Sequence, residues 1–63
     1  MTFKTDLIIA ADRADYELTQ DQLDYLSNKE DKIITKLSFV DLIYFFIECK
    51  DNGFEKTVEK YGF

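Results

Sequence analysis

The chain has no proline, no tryptophan and no histidine, one cysteine and only two glycines. Each shortage excludes something. Without proline, and with glycine confined to positions 53 and 62, little interrupts a helix anywhere before Gly53. A single cysteine, Cys49, cannot close an internal disulfide. The lack of histidine removes the usual zinc-ligand sets, so neither a covalent nor a metal staple is implied, and no cofactor either. Sparse cysteine fits a reducing compartment. Long apolar runs are missing too. The longest, Phe39 to Ile47, is broken by Asp41 and is roughly half the length of a membrane-spanning helix. Residues Met1 to Asp6 are polar and the apolar run after them stops at Ala11, which is not the pattern of a secretory leader. These features read as a soluble cytoplasmic protein.

What is present is apolar and aromatic. At 63 residues the chain makes one small domain, residues 1–63, close to the lower limit for an unaided core. A 46% hydrophobic share, with six Phe and four Tyr, argues against disorder even though 33% of residues are charged. Stability therefore has to come from apolar burial, within the chain or across an interface.

Apolar spacing predicts an all-α fold, a compact bundle of three to four short helices. Phe3, Leu7, Ala10, Ala14 and Leu18 recur at three- and four-residue steps, giving a first helix over about Thr5 to Tyr16 with Thr5 as N-cap. Thr19-Gln20-Asp21-Gln22 fits a capping box, with Leu18 and Leu23 at staple spacing, and opens a second helix ending near Ser27-Asn28. A polar connector follows, Asn28 to Lys32. The β-branched Ile33-Ile34-Thr35 beyond it admits a strand, an extended link or a helix start. An α+β alternative would pair a strand at Lys32–Leu37 with one near Asp6 to Ala10. Ser38 and Asp41 form a second capping box for the clearest helix, whose apolar arc of roughly 220° leaves only a narrow wedge for Asp41, Glu48 and Asp51. Gly53-Phe54 suits a left-handed Schellman stop, with Phe54 packing back on Cys49. A last helix over about Glu55 to Tyr61 ends at a second such pair, Gly62-Phe63.

No constellation of catalytic type stands out, and no family is recognisable. Asp12 with Asp15, and Asp21 with Asp24, share helix faces, yet acid–base work needs a cleft that drives two pKa values apart. Cys49 lacks an activating base and sits in the most apolar helix, where it reads as a small buried hydrophobe. Glu48, Asn52, Gly53 and Glu59 follow the outline of a calcium loop, but Lys50 places a cation at a ligand position and a helix end explains Asn52-Gly53 better. The eight Lys and Arg are scattered, which does not suit direct nucleic-acid binding. The sequence thus reads as a non-enzyme.

The charge is uneven. Residues 1–31 hold eight acidic and three basic side chains, which accounts for the whole net charge of −5; residues 32–63 hold five of each. Two expectations follow. In the first, Asp12, Asp15, Tyr16, Glu17, Asp21, Asp24 and Tyr25 form an acidic, aromatic-anchored face for a partner protein with a basic surface. A small regulator or inhibitor of this kind acts as a nucleic-acid mimic, as do the small acidic anti-CRISPR and anti-restriction proteins of phages and mobile elements; the likeness is one of size and charge. In the second, the acidic half only solubilises. The chain is then a homodimer or other helical assembly module, joined through Tyr44, Phe45, Phe46 and Ile47.

Overall fold

The computed structural model describes residues 2–63, and these form five helices: α1 (Phe3–Arg13), α2 (Gln20–Ser27), α3 (Glu30–Lys36), α4 (Phe39–Asn52) and α5 (Phe54–Tyr61). The all-α class is as expected; the count of three to four falls one or two short. The addition is α3. Its β-branched residues turn helical rather than pairing as a strand, which leaves the α+β alternative without a strand among the described residues. A lone strand would leave a row of unpaired backbone groups, whereas one helical turn satisfies them locally. Glu30 and Asp31 at its start and Lys36 at its end complement the helix dipole, and Ile33 anchors it in the core.

Capping sets the boundaries. Both expected capping boxes are present: Thr19 with Gln22 at α2, and Ser38 with Asp41 at α4. At α1 the cap is Thr2 rather than Thr5. The Thr2 hydroxyl accepts from the Thr5 amide, so the helix starts two residues earlier than expected and stops at Arg13.

The stop at Arg13 is a Schellman turn. Asp15 takes the left-handed position with φ of 57°, its N–H donates to Asp12, and the Tyr16 N–H donates to Ala11 at 2.9 Å. The same turn closes α5, with Gly62 left-handed at φ 80° and the Phe63 N–H donating to Val58. Gly53, expected to make such a turn, does something else. Its φ of 98° and ψ of 150° lie in a region that only glycine enters readily. There it ends α4 and opens α5 with no linker between them. Phe54 meets Tyr25 edge to face and packs against the core cluster to which Cys49 belongs.

The core forms around one stripe of α4: Leu42, Phe45, Phe46 and Cys49, at i, i+3, i+4 and i+7. The small face of α1, made by Ala10, Ala11 and Ala14 beside Leu7, lets that helix approach α4 closely. Phe46 stacks on Tyr16, with ring centroids 5.5 Å apart, and Phe45 meets Tyr61 and Phe63. Two of the expected self-association residues are therefore interior: Phe45 is 1% exposed and Phe46 0%. Only Tyr44 at 60% and Ile47 at 38% remain outside, in line with exposed Val40. The wide apolar arc is split into a covered stripe and an open one. Among the described residues, no helix is long and apolar enough to cross a membrane.

Two stability outcomes follow. Phe46→Ala costs about 3–5 kcal/mol, most of the roughly 3–9 kcal/mol available to a chain of this length, so the variant loses its cooperative thermal transition in circular dichroism. Asp15 carries a Cβ in a conformation that costs about 1–2 kcal/mol. Asp15→Gly therefore raises the urea midpoint despite losing a surface ion pair, and Asp15→Val lowers it.

Candidate functional site

The seven acidic and aromatic residues expected to form one binding face are divided by the fold. Asp12 and Tyr16 line a hollow of 350 Å³ between α1 and α2. Asp21 and Tyr25 line a separate, larger groove of 620 Å³ between α2 and α5. Asp15 is held 3.0 Å from Lys50 of α4, and Asp24 accepts from Gln20 and lies 3.7 Å from Lys4. Among the described residues, that leaves Asp12, Glu17 and Asp21 exposed and without an ion-pair partner.

The two tyrosines are largely committed to structure. Tyr16 is half-buried on Phe46, and its hydroxyl donates to Gln22 at 2.8 Å. Burial pushes its pKa above the ordinary value, aided by the nearby Cys49 and opposed by the Gln22 bond. Tyr25 keeps an exposed edge. Its hydroxyl donates to the Phe63 carbonyl at 2.7 Å, while its ring meets Phe54 and lies under the Lys29 ammonium. It is thus a fixed surface rather than a free side chain.

The α2–α5 groove is a surface concavity of 620 Å³. Its floor is Tyr25, Phe54, Val58 and Phe63; its edges carry Asp21 from α2 and Glu55 and Glu59 from α5. No Lys or Arg lines it. A more polar extension past Asp21 and Glu55 reaches Asn52, Gly53 and Lys56. The close helix pairs are α1 with α4, α4 with α5, α1 with α2 and α2 with α3. The groove lies where α2 and α5 meet through side chains, chiefly by way of Tyr25.

Sequence reasoning missed the α5 wall. Glu55 and Glu59 are one helical step of four apart, which was the available signal. It was hidden because Lys56 and Lys60 cancel them in the charge count, although neither lysine lines the groove. Lys60 donates to Glu48 at 2.5 Å.

Glu48 gathers a second cluster at the α4–α5 contact, accepting from Lys60 on one oxygen and the Tyr61 hydroxyl on the other. Those two donors, Lys60 first, hold the Glu48 carboxyl below its usual value. Tyr61 is pushed up to about 12, by burial first and then by its bond to the carboxylate. Next to Glu48, burial pushes the Cys49 thiol up to about 11, so it is a neutral thiol at pH 7. The cluster links α4 to α5. Residues 48 to 52 continue α4, so Glu48, Lys50 and Asn52 are distributed round a helix and not along a calcium loop.

No family model, curated protein or solved structure matches the chain.

The tyrosine in this cluster sets an alkaline limit. Its folded pKa lies above the ordinary 10.0, so its contribution is complete below about pH 10 and is lost as pH rises through about 12. Thermal melts across that window fall steeply for the native chain. Tyr61→Phe, less stable at neutral pH, falls less steeply; an equal slope in both removes Tyr61 as the cause.

Proposed function

We propose that the protein is a small binding regulator or inhibitor that occupies a basic surface of a partner protein, one whose ordinary occupant is nucleic acid. The observation that carries this reading is the set of unpaired carboxylates between the end of α1 and the first turn of α2. Asp12, Glu17 and Asp21 face solvent, and the one cation in that stretch, Arg13, is drawn aside over the Phe39 ring at 5.8 Å. Spaced carboxylates on a rigid turn can take the place of phosphates against Lys and Arg, and their field speeds encounter with such a surface. Size and charge put the chain beside the small acidic anti-CRISPR and anti-restriction inhibitors of phages and mobile elements. A DNA-mimic mode of action, without enzymatic chemistry, is the mechanism that matches.

One observation favours a second reading. Val40, Tyr44 and Ile47 form an exposed apolar stripe on the outer face of α4, at the spacing of a helix–helix seam. Paired through it, two copies would make a homodimeric assembly module. Tyr44 and Ile47 would carry the contact in place of the buried phenylalanines.

The readings separate in one experiment. The immobilised chain is incubated with host lysate at low and high salt, beside a triple variant, Asp12→Asn with Glu17→Gln and Asp21→Asn. On the first reading a captured protein is released by high salt and by added nucleic acid, and the triple variant binds it about tenfold less. Undiminished capture by the triple variant sinks that reading. A doubled mass in light scattering, abolished by Tyr44→Lys, supports the second.

A further inference from the structure

We infer that the groove between α2 and α5 is a docking site for a short amphipathic segment of a partner protein, one that seats an aliphatic or aromatic side chain on the groove floor between flanking Lys or Arg residues. The inference rests on the reading of the protein as a binder of basic partners, and supplies what charge alone lacks, a place for an anchor.

Shape comes first. The groove is open to solvent along its length, and its volume of 620 Å³ leaves room for a single large side chain on its floor. The floor is apolar and already assembled. Tyr25 is pinned by its bond to the Phe63 carbonyl and by its edge-to-face contact with Phe54, so little freedom is lost when something lies against it. Phe63 is held by the Schellman turn at Gly62.

Charge then chooses the occupant. Asp21 stands on one wall, Glu55 and Glu59 on the other, and among the described residues none of the three has an ion-pair or side-chain hydrogen-bond partner. Lys60 is bonded to Glu48, Lys29 and Lys36 lie over the Tyr25 and Phe63 rings at 5.6 and 5.9 Å, and Lys56 lines the polar extension and not the groove itself. Carboxylates on both walls of an apolar floor repel nucleic acid and anionic lipid, and attract a basic segment with an apolar anchor. They also disfavour a second copy of this chain. The exposed apolar stripe of α4, Val40, Tyr44 and Ile47, is continued by Asp51 and flanked by Asp41 and Glu48, and would bring carboxylate against carboxylate.

The probe is a short capped helical peptide with Trp and Leu four residues apart and Lys at the flanking positions, titrated into isotope-labelled full-length chain. Backbone amide shifts should move at Tyr25, Phe54, Val58 and Phe63. Replacing Trp and Leu by Ser in the peptide should weaken binding about tenfold or more. The double variant Glu55→Gln with Glu59→Gln, which touches no internal bond, should weaken it about threefold to tenfold at low salt. Shifts confined to Asp12, Glu17 and their neighbours, unaffected by loss of the anchor, overturn the groove and leave the acidic-face reading standing. Absence of any shift also overturns the groove, since the peptide carries everything the site is said to recognise. Loss of lysate capture in a double variant, Asp12→Asn with Glu17→Gln, which leaves Asp21 on the groove wall, with peptide binding intact, would locate the two functions on different surfaces and support the groove independently.

Discussion

Everything in this chain hangs on the adjacent rings of Phe45 and Phe46. With a single cysteine and no histidine, a chain of this length holds together through what those two side chains touch. They diverge at 81° to each other and engage different neighbours, Phe46 facing Tyr16 and Phe45 facing Tyr61 and Phe63. Two of these partners arrive by the same device. A left-handed residue ends a helix, Asp15 in one case and Gly62 in the other, and the aromatic immediately after it turns inward. Helix termination and core filling are thus one event, which helps a short sequence reach an adequate core.

The parts of the fold legible in the sequence were those governed by local rules. The capping boxes at Thr19 and Ser38, the Gly62 stop and the helical period of Leu7, Ala10 and Ala14 all follow from chemistry within a few residues. The misreadings came where tertiary packing decided. Ile33-Ile34-Thr35 has strand-like composition, but no strand partner exists among the described residues and Ile33 is taken up by the core. Asp15 gave no sign of a left-handed conformation, because asparagine or glycine is the usual signal there. Composition could not divide the apolar arc of α4 into a buried stripe and an open one. That division depends on where α1 and α5 lie.

The candidate site shows the same limit. The excess of negative charge before Lys32 was plain from counting, and its individual members were not equivalent. Asp15 and Asp24 have lysine or amide partners, whereas Asp12, Glu17 and Asp21 have none among the described residues. The charge-balanced second half concealed the opposite case. Glu55 and Glu59 have no ion-pair partner among the described residues and line a groove wall, while Lys60 is drawn to Glu48. Counting charges per segment averages over neighbours that point in different directions, and only the folded chain resolves them.

The alanines of α1 reach further than their size suggests. The groove has one wall on α2, which packs on α1, and the other on α5, which is joined to α4 through Gly53 without a linker. The spacing between walls is therefore transmitted through the α1–α4 seam, where Ala10, Ala11 and Ala14 set how closely the two halves approach. A bulkier residue at that seam would act as a wedge and alter the mouth of the groove from behind. The aperture is governed by side chains that no occupant touches, so variation in those alanines could retune what the surface accepts while every residue lining it stays the same.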